Sequence, residues 1–275
     1  MIIVDYIGRL GNQMFQYAFA VSTAKTHKTW FLLNPVYKNE INNFFELDIA
    51  TKIISNPHLI NVHKKLLQYF IPKLKIQTQD GWEDDIVATD NLHYEGFFQS
   101  ENYFYQHRKT ILKRFKIKKI YQELFSSQYA NDFASNKTLV IHVRRTDYVD
   151  FGSEKLGGIG LCLPVSYYEN CLKNIENLSQ YKIFCISDDP DFVKELFKDR
   201  NDVNFVSNQV IVDFQFLVNA DICIIANSSF AWWGAYLNPK KNKIIYAPKF
   251  WLGFKIDEEY PKQIIPDGFT KTKVY

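Results

Sequence analysis

The chain has 275 residues, 47% of them hydrophobic, and a formal net charge of +3. This length suits one large or two moderate globular cores, because domains usually hold about 100 to 200 residues. This small net charge argues against binding of nucleic acid through the overall charge of the protein. A site for an anion must therefore depend on a few neighbouring basic groups. The four cysteines have no C-x-x-C spacing, which favours free buried thiols over disulfides or a metal site.

The N-terminal half begins with the stretch MIIVDYIGRLGN, which predicts a strand, a glycine turn and a helix over about 12–25. A second strand follows in TWFLL. The start has no basic n-region and no apolar run near 20 residues, so we expect neither a targeting nor a membrane-spanning segment. The basic amphipathic stretch HLINVHKKLLQYFIPKLK fits a helix packed on its own domain better than one on an anionic membrane surface. NLHYEGFFQS then resembles a strand, and ENYFYQHRKTILKRF predicts a helix.

From about residue 137 to 250, short apolar runs alternate with helical patterns. The strands are TLVIHV, YKIFCIS, VNFVS, DICIIA and KIIYAP, separated by segments such as PVSYYENCLKNIENL and SSFAWWGAYL. This alternation predicts right-handed crossovers and a parallel sheet covered on both faces. We therefore predict an α/β protein with domains at 1–130 and 131–275, divided within YQELFSSQYANDFASNK.

Polar residues follow several predicted strands, and ligands of parallel sheets bind at the carboxyl edge where strands end. Gly8, Gly11 and Asn12 in GRLGNQ close the first strand and begin a helix, whose free N–H groups suit a phosphate. The G-x-x-G spacing is shorter than the dinucleotide fingerprint, so an ordinary tight turn fits the motif as well.

Arg144 and Arg145 follow the strand VIHV. Because side chains alternate along a strand, we expect one arginine to face a ligand and the other to hold Asp147 or a neighbouring loop. A guanidinium presents a planar fork that pairs with a phosphate bidentately. A salt-bridged pair at a strand end is the alternative.

Two aspartates end the strand in ISDDPDF. Asp188 is predicted to accept hydrogen bonds from a base edge such as that of guanine, and Asp189 to cap the following helix. In ANSSFAWWGAYL, a helix begins after Asn227 with Ser228 and Ser229, and its N–H groups suit a second phosphate. The two tryptophans that follow are predicted to pack in the core.

These motifs together resemble the α-1,2-fucosyltransferases of glycosyltransferase family 11. The resemblance runs in order through GRLGNQMFQYAFA, GFFQSENYF, HVRRTDY, ISDDP and ANSSFAWWGAYLN, over about residues 1–250. HVRRTD is also similar to the motif of the α-1,6-fucosyltransferases. The loop DFGSEKLGGIGLCLP departs from the family's usual pattern, which has His-Gly ahead of a cysteine, and this departure bears on acceptor choice.

The resemblance implies two Rossmann-like domains facing across a cleft, the glycosyltransferase-B arrangement, with an acceptor-side N-terminal domain and a C-terminal GDP-sugar domain. It implies GDP-fucose as donor, a galactose-containing glycan or lipid-linked oligosaccharide as acceptor, inversion at the anomeric carbon, and no metal. Arg144 would hold the β-phosphate with support from Arg145. The remaining donor contacts implied in this way are His142, Asp188, Ser228, Ser229, Gly11 and Asn12.

Inversion requires a base for the acceptor hydroxyl. Asp147 is the nearest candidate to the arginines, although pairing with Arg145 or capping a turn fits it equally well. Asp150, Glu154 and Glu95 are the further candidates. Two other functions stay open: transfer of another GDP-deoxyhexose such as colitose, and a non-catalytic GDP-sugar or glycan-binding protein. We expect a cytoplasmic bacterial protein that binds no nucleic acid, with peripheral contact to the inner membrane as a further hypothesis.

Overall fold

The structure is a computed structural model that describes residues 1–35, 39–47, 76–78 and 88–275. The chain forms two compact units, one of Met1–Lys118 with Pro261–Ile264, the other of Lys119–Tyr260 with Ile265–Tyr275. The basic amphipathic stretch at 58–75 lies outside the described residues. Each unit contains a parallel sheet, so the predicted α/β class is confirmed; the facing of two domains across a cleft stays a prediction.

The first unit contains a four-stranded sheet in the order β2-β1-β4-β3, with every neighbouring pair parallel. Its strands are β1 (Ile2–Tyr6), β2 (Phe31–Pro35), β3 (Ile76–Thr78) and β4 (His93–Gly96). Its helices are α1 (Leu10–Thr26), α2 (Ile41–Phe44) and α3 (Arg108–Arg114). Helix α1 connects β1 to β2 and is buried along most of its length, as its apolar residues on all sides require.

The stretch ENYFYQHRKTILKRF differs from the predicted single helix. It forms two short 3-10 turns, Glu101–Tyr103 and Tyr105–His107, before α3 begins. Phe104 lies between the turns with a non-helical backbone, φ −138° and ψ 5°, and is completely buried. The burial of aromatic rings against α1 overrides local helix propensity here.

The second unit contains a six-stranded parallel sheet in the order β12-β11-β10-β5-β8-β9. Its strands are β5 (Lys137–Val143), β8 (Tyr181–Ser187), β9 (Val203–Val206), β10 (Ile222–Ile224), β11 (Ile244–Pro248) and β12 (Thr270–Thr272). Between β5 and β8, a small antiparallel hairpin joins β6 (Gly152–Ser153) and β7 (Gly158–Ile159). The five predicted strands are confirmed, whereas β12 was not predicted from its short polar sequence TKT.

The helices of this unit are α4 (Lys119–Ser135), α5 (Val165–Lys173), α6 (Pro190–Leu196), α7 (Val210–Asn219) and α8 (Ser229–Leu237). Helix α4 packs on α7 through Phe125 and Phe133, whose rings lie 5.4 and 5.5 Å from that of Phe216. This packing explains why the second unit begins at Lys119, whereas the sequence suggested 131. Among the described helices, none is long and apolar enough to cross a bilayer.

The order of the strands reverses between β5 and β10. The chain runs from β5 to β8 and β9 on one side, and then returns to β10, β11 and β12 on the other. In open parallel sheets, ligands bind at the carboxyl edge where such a reversal opens a crevice. A ligand site is therefore expected at the residues that follow β5, β8 and β10. These are the segments RRTD (144–147), DDP (188–190) and NSS (227–229).

Candidate active site

Arg144 lies directly after β5, with a side chain that is 15% exposed. Its guanidinium forms ion pairs with Asp147 and, at 2.9 Å, with Asp188. It also lies 5.5 Å from the ring centre of Tyr148, whose hydroxyl donates to the carbonyl oxygen of Asn227 at 2.8 Å. The arginine is thus fixed between the segments that follow β5, β8 and β10.

The carboxylate of Asp188 accepts hydrogen bonds from three groups. One carboxylate oxygen accepts the backbone N–H of Arg145 at 2.9 Å. The other accepts the guanidinium of Arg144 at 2.9 Å and the hydroxyl of Thr146. Asp188 therefore orients Arg144 in this structure, and guanine reading by the same carboxylate stays an untested alternative to this positioning role. Sequence reasoning did not single out Thr146.

Arg145 points away from Arg144 and holds the start of α6. Its Nε donates to Asp189 at 3.1 Å, and its guanidinium carbon lies 3.9 Å from the ring centre of Phe192. The other oxygen of Asp189 accepts the N–H of Phe192 at 3.1 Å, so the predicted helix cap is confirmed. Of the two roles expected for the second arginine, holding Asp147 or holding a neighbouring loop, Arg145 thus fills the second.

His142 lies inside the sheet behind the arginines and is 5% exposed. Burial lowers the pKa of His142 to about 4, with Arg144 acting in the same direction and Asp188 opposing both. The imidazole is therefore neutral at pH 7. Its Nδ1 has no hydrogen-bond partner within the described ranges. A buried polar nitrogen of this kind is rare, and a ligand contact would satisfy it.

The start of α8 is the second anion-favouring element of this edge. Ser228 is the N-cap residue and is 6% exposed, but its side chain makes no capping hydrogen bond. Ser229 begins the nine-residue helix and is partly exposed. N–H groups in the first turn of a helix have no partner within the helix, and the helix dipole favours an anion there. Trp232 and Trp233 are fully buried, which confirms their packing role.

Asn227 connects this helix start to the glycine-rich loop, which is the segment DFGSEKLGGIGLCLP at residues 150–164. It is fully buried, and its amide donates to the carbonyl oxygen of Leu161 at 3.0 Å. Its Oδ1 has no hydrogen-bond partner in the part of the chain that the structure describes. Cys162, the next residue of the loop, is a partly exposed free thiol, and the other three cysteines are free and buried. The predicted free thiols are confirmed.

The GRLGNQ motif in the first unit is held mainly by bonds within that unit. Gly8 has a φ of +75°, and a Cβ there would lie 2.5 Å from the side-chain nitrogen of Asn12. Only glycine adopts this conformation without strain. Asn12 is partly exposed and accepts a hydrogen bond from Gln99 at 2.9 Å, while Gly11 is buried. The proposed approach of Gly11 and Asn12 to the donor diphosphate stays a prediction.

A carboxylate lies at the start of α1, where the sequence suggested a phosphate. The N–H of Leu10 donates to Glu40 at 2.8 Å, and the N–H of Glu40 donates to Gln13 at the same distance. Glu40 therefore completes this helix start, and its negative charge disfavours a phosphate at the same N–H group. Glu40 is 30 residues from Leu10 in sequence, so no local motif indicates the contact.

The candidate bases differ in environment. Asp147 is 48% exposed and paired with Arg144. Asp150 and Glu154 are exposed in the loop that contains β6 and β7, whereas Glu95 is partly exposed on β4 of the first unit. Within the second unit, Asp147 is the candidate that contacts the arginine.

The sequence also matches known proteins. The family model for glycosyl transferase family 11 matches residues 1–259. An alpha-1,2-colitosyltransferase from Escherichia coli is 29% identical over 272 residues, covering 92% of each chain. The O-antigen biosynthesis glycosyltransferase WbnK from Escherichia coli is also 29% identical, over 165 residues that cover 57% of this chain and 54% of WbnK.

Solved structures support the fold. The α-1,6-fucosyltransferase NodZ, soaked with GDP-fucose, has a TM-score of 0.51 at 14% identity, covering 86% of this chain and 92% of NodZ. NodZ comes from Bradyrhizobium. Identity this low shows a shared fold alone, whereas the family model covers nearly the whole sequence. The chain therefore belongs to glycosyl transferase family 11.

Proposed function

We propose that the protein transfers L-fucose from GDP-fucose to the 2-hydroxyl of a galactose in an acceptor glycan, with inversion at the fucose. The observation that carries the proposal is Arg144, fixed at the strand reversal among the segments that also bring His142 and the start of α8 to one edge. Membership of family 11 supports sugar transfer. A shared fold with a fucosyltransferase soaked with GDP-fucose supports the donor.

The chemistry follows from where charge develops. Departure of GDP leaves negative charge on the β-phosphate, and a fixed guanidinium with helix N–H groups stabilises that charge. Arg144 has two carboxylate partners, and Asp147 is the more exposed, at 48% against 21% for Asp188. We expect the phosphate to replace Asp147 at the guanidinium while Asp188 keeps the arginine in place.

The exchange at Arg144 gives a test of Asp147. If Asp147 is the base, Asp147→Asn lowers kcat about 100-fold or more and leaves GDP affinity unchanged or tighter. In an inverting mechanism the acceptor hydroxyl attacks the face of the fucose opposite GDP, so this outcome requires the carboxylate released from Arg144 to turn toward that face. GDP titration and initial rates measure the two effects, and Asp191→Asn, an exposed aspartate on α6, is the matched control. Undiminished kcat would remove Asp147 as the base and leave it only a partner of Arg144.

No divalent ion is needed in this mechanism, because Arg144 and the start of α8 supply the positive charge that a metal gives other transferases. EDTA is therefore expected to leave the initial rate of transfer unchanged. Rates measured after chelation and after return of Mg²⁺ or Mn²⁺ check this. A loss that either ion restores would contradict the metal-free mechanism.

Colitose is the second candidate donor sugar, favoured by the E. coli colitosyltransferase that aligns with 92% of this chain. L-Fucose and colitose differ only in the hydroxyl at C3. A site that hydrogen-bonds this hydroxyl would reject GDP-colitose by roughly 10⁴-fold, whereas an apolar lining discriminates by about 100-fold at most. The ratio of kcat/KM for the two donors therefore identifies the sugar and the kind of pocket.

The decisive experiment offers GDP-fucose, GDP-colitose and GDP-mannose to the protein with a panel of β-galactosides, followed by linkage analysis of the product. Fucose at O2 of galactose is the expected result. If colitose were found at O2 and fucose were transferred more slowly, GDP-colitose would be the donor and the mechanism would be unchanged. GDP binding without any turnover would favour the non-catalytic GDP-sugar or glycan-binding protein.

A further inference from the structure

A cavity of about 440 Å³ lies at the carboxyl edge of the second sheet, beside β11 and β12. It is lined by the residues that directly follow these two strands and by a loop around residues 254–257. The strands are parallel, with Pro248 opposite Thr272. The cavity therefore opens on the same edge as Arg144, at the other end of the strand order from β9.

The charge of the lining is positive. Its charged side chains are those of Lys249, Lys255 and Lys273 and of one acid, Asp257. Lys249 and Lys273 come side by side, because each follows the end of its strand and the N–H of Lys249 donates to the carbonyl oxygen of Thr272 at 2.7 Å. Lys273 is exposed and has no ion-pair partner among the described residues. Two neighbouring ammonium groups favour an anionic ligand.

Aromatic rings and Val274 form the rest of the wall. Phe254 is buried, and its ring centre lies 6.0 Å from that of the exposed Tyr275. The ammonium of Lys249 lies 4.5 Å from the ring centre of Phe250. Aromatic faces bind apolar surface, and Tyr adds a polar edge, so the wall suits a ligand with both characters. A sugar ring has such an apolar face and a polar rim.

The loop that carries these rings is held in an unusual backbone conformation. Phe250 and Trp251 have φ angles of 69° and 54°, which non-glycine residues seldom adopt. The N–H of Tyr260 donates to the carbonyl oxygen of Phe250 at 3.2 Å, and a Cβ at Gly253 would lie 1.8 Å from the carbonyl oxygen of Glu258. Such a conformation persists only where the surroundings fix it, and it often marks a binding site.

The glycine-rich loop joins this cavity to the catalytic edge. Lys255 donates to the carbonyl oxygen of Ile159 at 2.7 Å, in the hairpin that β6 and β7 form. Two residues further, the N–H of Leu161 donates to the carbonyl oxygen of Tyr148 at 2.9 Å, and Tyr148 contacts Arg144. The cavity wall and the catalytic arginine are thus connected through one short segment of the same unit.

We propose that this cavity binds an anionic residue of the acceptor glycan, a sugar ring that carries a carboxylate or a phosphate. The ring lies against Phe250, Phe254 and Tyr275, and its anionic group pairs with Lys249 and Lys273. The proposal rests on the proposed function, because it assigns a chemical class to the acceptor of that reaction. It predicts that acidic glycans are preferred over neutral ones.

Calorimetric titration of the whole protein, saturated with GDP, tests the proposal with galacturonic acid, galactose 6-phosphate, galactose and inorganic phosphate. Both anionic sugars are expected to bind at least about tenfold tighter than galactose, and the double variant Lys249→Gln/Lys273→Gln to lose that advantage. Lys241→Gln removes the same charge at the amino end of β11 and is expected to change nothing, since Lys241 is exposed at the opposite edge. GDP affinity, measured separately, is expected to be equal in all variants.

Each other outcome overturns the proposal. If galactose bound as tightly as the anionic sugars, the cavity would not recognise the anionic group. If Lys241→Gln lost as much affinity for the anionic sugars as the double variant, the preference would come from the net charge of the protein. Inorganic phosphate binding as tightly as galactose 6-phosphate would mean an adventitious ion only. Weaker GDP binding in the double variant would assign the cavity to the donor. Absence of GDP binding by the unaltered protein is a separate result, which defeats the proposed function instead.

Discussion

Arg144→Ala is expected to lower kcat about 1000-fold or more while the protein stays folded. A single fixed hydrogen-bond donor to a developing anion contributes a factor of about 100 to 1000, and an arginine that stabilises the transition state of phosphoryl transfer contributes more. Arg144 is the guanidinium at the strand reversal, and we propose that it pairs with the leaving β-phosphate. Asp188 keeps the N–H of Arg145 and the hydroxyl of Thr146 after the substitution, so the segment stays bonded. Single-turnover rates with saturating donor measure the loss directly.

Two variants make the result specific. Arg144→Lys keeps the charge but loses the planar fork that would pair with Asp188 and a phosphate together. We therefore expect the logarithm of kcat to fall by at least half as much as in Arg144→Ala. Arg200→Ala removes an arginine that pairs with Asp202 in a surface loop, and it is expected to leave kcat unchanged. Near-native turnover by Arg144→Ala, with unaltered thermal unfolding, would remove the phosphate role that we assign to this arginine.

The strands and helices of the second unit are predictable from the sequence because each carries its own periodicity. TLVIHV, YKIFCIS and DICIIA are predominantly apolar runs, as is typical of strands covered on both faces. Strand β12 carries no such signal, because its three residues are mostly exposed at the sheet's edge. The 3-10 turns around Phe104 were missed for the opposite reason, since tertiary burial determines them and local propensity does not.

The site was predictable in composition and only partly in geometry. That Arg144 and Asp188 end strands follows from the sequence, but their ion pair depends on register, with Val143 opposite Ser187. No single sequence reveals which strands become neighbours or how they align. The contact of Glu40 with Leu10 has the same origin, because only the folded chain brings residues 30 positions apart together.

Asp188→Asn is expected to lower kcat about 100-fold while the preference for GDP over ADP and UDP persists, because a misplaced catalytic group commonly loses this factor. The physical reason is the ion pair at 2.9 Å, in which the carboxylate sets the direction of the Arg144 guanidinium. Asparagine keeps one oxygen for the N–H of Arg145, but turns an amide toward the guanidinium or the hydroxyl of Thr146. Inhibition constants of the three nucleotides and kcat measure the two effects.

A double-mutant cycle with Arg144→Lys then separates positioning from base recognition. If Asp188 acts through the arginine, the two losses are strongly non-additive, because the second substitution removes an interaction that is already broken. If Asp188 contacts guanine instead, the losses of kcat/KM for the donor multiply in the double variant. In that case kcat of Asp188→Asn stays near native and the selectivity for GDP disappears. Asp202→Asn, which breaks the surface pair with Arg200, controls for loss of an aspartate–arginine contact as such. Multiplying losses with reduced GDP selectivity would return Asp188 to the guanine role that its place after β8 first indicated.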